Sequence, residues 1–214
     1  MEIMSNEKKI PKATAKRLPL YLRYLKMLDD SGVIRIKSRE FSEIVHIPPA
    51  TIRRDFSHLG ELGRSGYGYD VPYLIQVFSE ILNTTEEKRI ALIGCGNLGK
   101  ALIKNNFRRN ENLNIICAFD VNDEIVGEKV NDICVQSMDQ LRNAIEEQGI
   151  TVAISTVPSK YAQTAINEIV DAGITAILNF APDRVNVPKH VNVQYIDLTT
   201  ELQTLIYFDT AFSK

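Results

Sequence analysis

The stretch from Lys88 to Asp120 limits what this chain can become more than any other. Arg89-Ile90-Ala91-Leu92-Ile93 has the length and apolar content of a buried strand, and it runs straight into Gly94-Cys95-Gly96-Asn97-Leu98-Gly99. A helical pattern follows, apolar at Leu98, Ala101, Leu102 and Ile103 and polar at Lys100 and Lys104. A second apolar run, Ile115 to Phe119, ends on Asp120, 21 positions past Gly99. Strand, G-x-G-x-x-G, helix, and a strand closing on an acid is the order that binds dinucleotides. Gly94 is expected to permit the tight turn, Gly96 to let backbone approach a pyrophosphate, and Gly99 to let helix and strand close-pack. The helix start offers unpaired N–H groups to the phosphates, with Cys95, Asn97 and Leu98 completing the loop. Asp120 is placed to accept a hydrogen bond from a ribose 2′-hydroxyl, which favours NAD(H) over its 2′-phosphorylated relative. The alternative is a βαβ unit whose glycines serve packing alone.

The totals suit a soluble globular protein of one or two domains: 214 residues, 44% hydrophobic and 24% charged. No apolar run approaches the roughly 20 residues that span a bilayer. Met1 to Lys12 lacks the apolar core of a secretory signal, so no membrane association and a cytoplasmic location are expected. Cys95, Cys117 and Cys134 are odd in number and widely spaced, with no metal-ligand spacing. Reduced thiols and no metal are the expectation. At Cys95 a small residue filling the turn is favoured over a redox role. The net charge of −2 hides an asymmetry: residues 1–69 carry 13 Lys+Arg against 8 Asp+Glu, while residues 70–214 carry 12 against 19. A basic front on an acidic body suits an anionic partner for the front.

Residues 1–83 read as three helices, a glycine-rich hairpin and a connector helix. Leu18, Leu22, Leu25 and Leu28 form one stripe, with Pro19 suited to a first turn, although Ala13 to Arg17 could already be helical and kinked there. Ser38 is expected to cap a second helix reaching about Val45, and His46-Ile47-Pro48-Pro49 breaks it. A third helix is expected from Pro49 to Leu59. Ile52, Phe56 and Leu59 share its core face, while Ala50, Arg54 and Ser57, flanked by Thr51, Arg53 and His58, make the opposite face small, polar and basic. That composition can enter a DNA major groove. Gly60, Gly63, Gly66 and Gly68 then imply a hairpin with Arg64 near its tip, in the manner of a phosphate-contacting wing. The alternative is an ordinary three-helix domain with a solvated basic face.

Asp70 to Asn83 reads as the connector, and 83–88 as the boundary. Beyond Asp120, Val126 to Val135 reads as a loop with short extended pieces, followed by a helix from Met138 to Gln148. Strands are expected at 151–156, 174–178 and 191–196, and a helix from Tyr161 to Ala172. Open α/β sheets bind ligands at the carboxyl ends of their strands, which nominates Thr156, Val157 and Pro158. Thr199 to Phe212 is a helix too apolar to lie free, so a homodimer is expected. A dehydrogenase would need a second, substrate-binding domain, but residues 84–214 number only 131 and His46, His58 and His190 form no catalytic set. No enzyme is expected, and a nucleotide site coupled to a DNA-reading head fits better. The competing class is a nucleotide- or CoA-binding regulatory domain with a protein-interaction head.

Several segments together resemble the redox-sensing transcriptional repressors of the Rex family. They are 16–21, 53–56 through 68–71, 94–99, 177–182 and 197–202. The resemblance spans nearly the whole chain. It implies an α/β protein with a winged-helix domain at 1–83, a Rossmann-type NAD(H)-binding domain at 84–198 and a domain-swapped C-terminal helix at 199–214. It also implies a homodimer on a palindromic operator, NADH binding that releases DNA, and NAD+ that competes weakly or favours DNA. Carried over by position, Arg53 and Arg54 read bases or phosphates, Arg64 serves the wing, and Asn179 and Phe180 join the cofactor site. Arg17 and Asp197 of the opposing subunit form a nucleotide-dependent contact. Four residues depart from the family pattern. Thr51 replaces a frequent Gln, Ser65 a second wing arginine, Leu198 an aromatic residue near the nicotinamide, and Asn105 a tyrosine. Asn105 and Leu198 make blunted sensing the alternative.

Overall fold

The computed structural model describes residues 10–64, 66–106 and 112–212, which divide into two compact units, Met1–Glu86 and Glu87–Lys214. The first contains α1 (Lys12–Asp30), β1 (Arg35–Ile36), α2 (Ser38–Val45), α3 (Pro49–Ser57), β2 (Gly63–Arg64), β3 (Gly68–Asp70) and α4 (Val71–Ile81). The leucine stripe of α1 is buried as its spacing requires, with Leu28 at the margin. Pro19 does not open this helix but lies inside it. An interior proline costs about 3 kcal/mol, and here Thr14, Leu18, Tyr21 and Leu22, buried on both sides of it, hold the helix through. Ser38 is the first residue of α2 rather than its cap; Lys37 takes that place, its N–H donating to Glu40 at 2.8 Å. His46, at φ 54°, ends α2, and α3 stops at Ser57, two residues short of the expected end.

The three strands pair antiparallel in the order β1-β3-β2, with Gly63 opposite Tyr69, which is the expected hairpin plus one edge strand. Helix α4 is more than a connector. Val71, Leu74 and Phe78 are buried in the core of the unit, while Ile81 falls outside it and is exposed. Phe56 meets Tyr21 and Phe78 edge-on at 5.5 and 5.4 Å, a geometry that aromatic quadrupoles favour.

The second unit contains β4 (Lys88–Ile93), α5 (Asn97–Asn105), β5 (Leu113–Asp120), β6 (Lys129–Val130), β7 (Ile133–Ser137), a 3-10 turn (Met138–Gln140), α6 (Leu141–Gln148), β8 (Val152–Ser155), α7 (Ser159–Asp171), β9 (Ala176–Asn179), β10 (Asn192–Tyr195) and α8 (Leu198–Phe212). Seven strands form one sheet in the order β10-β9-β8-β4-β5-β7-β6. Every pairing is parallel except β6 with β7. The segment read as a loop at 126–135 therefore supplies an antiparallel edge strand and the start of a parallel one. Its pieces are too short for a period to show. From β4 the chain winds outward through β5 and β7, then returns to build β8, β9 and β10 on the other side. This is the doubly wound Rossmann order, with its switch point between β4 and β8. Alternation along β4 places Ala91 and Ile93 in one core layer and Ile90 and Leu92 in the other.

Candidate nucleotide site and DNA-reading face

At the switch point the sheet's hydrogen bonds run one residue past each strand. Gly94 N–H donates to Phe119 O at 2.8 Å, Thr156 to Ile93 O at 2.9 Å, Phe180 to Ser155 O at 2.9 Å, and Ile196 to Asn179 O at 2.9 Å. Gly94, Asp120, Thr156 and Phe180 thereby gather at one carboxyl edge. Gly94 sits at φ +91°, and a Cβ there would press on Val157 Cγ1 at 3.0 Å. At Gly99 a Cβ would land on the Gly94 carbonyl oxygen, so this glycine is required by helix-to-turn contact. Gly96 differs: a Cβ would meet nothing within 4 Å. The first intrahelical bond of α5 runs from Lys100 N–H to Gly96 O at 2.9 Å. The amides of Asn97, Leu98 and Gly99 thus lack a carbonyl one turn back and point along the axis.

Asp120 closes the turn. Its Oδ2 accepts from Cys95 N–H at 2.6 Å and its Oδ1 from Asn122 N–H at 2.9 Å. Each carboxylate oxygen accepts about two bonds, so both keep capacity for a ribose hydroxyl. The Cys95 side chain faces inward, fully buried, its Sγ 3.8 Å from Phe119 O. Burial pushes its thiol up to about 12, assisted by the nearby Asp120 charge. Only its backbone serves the turn. Asn97 and Leu98 are exposed, Thr156 and Val157 half-buried, and Pro158, the residue before α7, exposed. Asn179 is completely buried and its amide is turned back on Ala181 at 3.3 Å in both directions. It supports the loop that carries Phe180 rather than offering a polar group outward.

On α3, Ile52 and Phe56 are buried, and Ala50, Arg53, Arg54, Ser57 and His58 are exposed, with Thr51 half-buried. Arg53 Nη1 donates to Ser38 Oγ at 3.0 Å, which ties it to the start of α2. Ser57 Oγ donates to Arg54 O at 2.7 Å, so its hydroxyl keeps only acceptor capacity for a base. Arg64 lies in β2 opposite Gly68, beside the hairpin turn; its side chain and all of Ser65 fall outside the described residues.

Asp55, which the sequence reading passed over, is buried with no exposure at all. Its carboxylate accepts from Thr14 Oγ1 at 2.8 Å, Arg17 Nε and Nη2 at 2.6 Å each, and Tyr21 Oη at 2.8 Å. Burial alone would push this carboxyl up, but the bonds from Arg17, Tyr21 and Thr14 outweigh it and hold the group below the usual carboxylate range. Arg17, expected to meet Asp197 across a dimer, has Asp55 as its partner within the chain. Asp197 for its part caps α8, accepting from Thr199 N–H at 3.0 Å and Thr200 Oγ1 at 2.6 Å. Asn105 ends α5 in an exposed position, and Leu198 opens α8 with 69% exposure. Among the described residues, no cluster of three His, Cys, Asp or Glu could hold a metal ion, and no helix is long and apolar enough to cross a membrane.

Two family models match the chain: a putative DNA-binding protein N-terminus over residues 9–57 and a CoA binding domain over residues 85–183. The redox-sensing transcriptional repressor Rex 2 of Enterococcus faecalis is 75% identical over 97% of this chain and 96% of its own length. The redox-sensing transcriptional repressor Rex of Latilactobacillus sakei is 56% identical over 94% of this chain and 96% of its own. Among solved structures, RSP in complex with beta-NAD+ and operator DNA matches with a TM-score of 0.85 and 33% identity, covering 97% of this chain and 93% of that one. RSP in complex with beta-NADH matches with a TM-score of 0.82 and 32% identity, covering 97% and 94%.

Proposed function

The chain belongs to the Rex family of redox-sensing transcriptional repressors, and from that premise we propose how its own residues join nucleotide occupancy to DNA. It is a DNA-binding repressor that senses the NADH/NAD+ balance, and not an enzyme. Ala50, Thr51, Arg54, Ser57 and His58 form the base-reading surface of α3, Arg53 lies against phosphate from its anchor on Ser38, and Arg64 serves the wing. The turn from Gly94 to Gly99 receives the pyrophosphate, and Asp120 holds the adenosine ribose. Thr156, Val157, Pro158 and Phe180 flank the nicotinamide, with Asn179 holding Phe180 from behind.

The observation that carries this reading is the contrast between Gly96 and Gly99. One glycine fits a helix against the turn, while the other faces open space beside a carboxylate that still has lone pairs to offer. Packing alone does not call for the second. The same carboxylate disfavours coenzyme A, whose adenosine ribose carries a 3′-phosphate. Oxidised nicotinamide carries a positive charge that the reduced ring lacks. Val157 and Phe180 are apolar and so favour the neutral form. Only such differential contact shifts an equilibrium. Moving from 1:99 to 99:1 takes about 5.5 kcal/mol, or roughly 3 kcal/mol from each of two sites in a homodimer. The exposed apolar side of α8 supplies the dimer contact, reaching the partner's cofactor cleft as an exchanged helix. Two reading heads then suit a palindromic operator, and a DNA target suits a cytoplasmic location.

Operators selected from random DNA, followed by gel-shift titration, test the proposal. NADH is expected to release the DNA at far lower concentration than NAD+. Equal release by both refutes redox discrimination. Intact operator binding with release by neither identifies the second reading, blunted sensing, for which Asn105 and Leu198 are the residues to exchange.

A further inference from the structure

The proposed reading face is held from behind by the bonds on Asp55, all of them from α1. Asp55 directly follows Arg54 on α3, 100° further around the helix. The other inward anchors of α3, Ile52 and Phe56, are apolar. Apolar burial fixes how deeply a helix sits but is non-directional. A bidentate guanidinium–carboxylate fork adds geometric specificity, and the hydroxyls of Thr14 and Tyr21 occupy further lone pairs. An ion pair with its carboxylate fully buried and its guanidinium about a quarter exposed is a poor device for stability alone, since apolar residues of similar volume often serve as well. What it does supply is a single allowed pose.

We propose that Asp55 is a positioning residue for DNA reading, its carboxylate fixing the rotation of α3 on α1 so that Arg54 meets base edges in one register. The inference rests on the assignment of α3 as the reading helix. Binding constellations lose function when held more loosely than about 0.5 Å or 10–20°. A loosened α3 keeps its charge, and with it its attraction to phosphate, but loses the alignment that tells one base from another. Sequence discrimination and bulk DNA affinity are therefore expected to separate.

The test uses the full-length protein, a selected operator duplex and a scrambled duplex of equal length, with affinities measured over a salt series. Asp55→Asn keeps the shape but removes the charge. Tyr21→Phe and Thr14→Val each remove one bond while leaving the Arg17 fork in place, so they report even if Asp55→Asn fails to fold. The ratio of operator to scrambled affinity is expected to fall about tenfold in Asp55→Asn and several-fold in the Tyr21→Phe/Thr14→Val double variant. Affinity for scrambled DNA and its salt slope are expected to stay at the wild-type value in the double variant, whose charge is unchanged, and not to fall in Asp55→Asn, which removes a negative charge beside Arg17. A double variant that melts at lower temperature yet keeps the wild-type ratio overturns the proposal, as does an equal loss on both duplexes. A wild-type protein with no operator preference would instead refute the reading helix itself.

Discussion

Burial decides the chemistry of the thiols. Cys95 and Cys117 are both buried and both pushed up to about 12 by desolvation, whereas Cys134 is exposed on β7. The thiolate is the nucleophile, so alkylation of native protein at pH 8 is expected to label Cys134 and spare the other two until unfolding. Peptide mass spectrometry gives the order, and early labelling of Cys95 would revive a redox role for the glycine turn. Asp55 makes a pH prediction of definite sign. Its folded value is depressed below the usual 3.8, so its contribution is fully present above about pH 4 and is lost as pH falls through the folded value. Urea denaturation is therefore expected to show the wild type's advantage over Asp55→Asn shrinking below pH 4. An advantage that persists undiminished to pH 2 contradicts the linkage. Asp55 was hidden in the sequence because Arg53-Arg54-Asp55 reads as an exposed charge run. The visible signal lies 34 to 41 positions upstream. Thr14, Arg17 and Tyr21 interrupt the same side of α1 that carries Leu18 and Leu25, and polar groups on an apolar stripe need a buried partner.

Among the elements, the unit from β4 through α5 to β5 was legible because its signals are local: an apolar run, three glycines and a terminal acid. Pro19, legible only as an open choice between a helix start and a helix interior, and the 126–135 segment were harder to read, for opposite reasons. Proline's local preference is overridden by the packing of α1, and β6 with β7 is held by pairing to strands the short sequence cannot announce. Inside the legible unit, two glycines make a discriminating pair. Gly99→Ala forces a Cβ onto the Gly94 carbonyl and against Leu92. Overpacking of this kind costs about 1–3 kcal/mol, so the thermal midpoint is expected to fall with or without ligand. Gly96→Ala adds a methyl to open space at an ordinary φ of −67°. Its midpoint without ligand is expected to match the wild type, while the stabilisation given by NADH is reduced. If Gly96→Ala binds NADH as tightly as wild type, measured by calorimetry, the pyrophosphate does not pass over this turn.

At the scale of the whole molecule, α8 poses the remaining problem. Leu202, Leu205, Ile206, Tyr207 and Phe208 are all more than half exposed, and among the described residues no strand follows the helix. Its residues are legible as a helix because their spacing is local, whereas the exposure of Leu202 and Leu205, at 57% and 64%, is a tertiary property that spacing does not carry. A second copy is the proposed cover. Leu205→Glu and Ile206→Glu, made together, place charge where a single chain already meets water. Such surface changes usually alter stability by less than about 0.5 kcal/mol, so the sheet unit is expected to fold normally. Within a dimer contact, the same charges would be buried unpaired, which is far more costly. Sedimentation equilibrium is expected to give twice the monomer mass for wild type and the monomer mass for the variant. DNA affinity should fall with it, because linking two reading heads makes the second encounter intramolecular and can strengthen binding by about 10²–10⁴. A variant that still sediments as a dimer moves the interface away from α8. A monomeric variant that keeps full operator affinity would mean that one head suffices, leaving the palindrome without a physical reason.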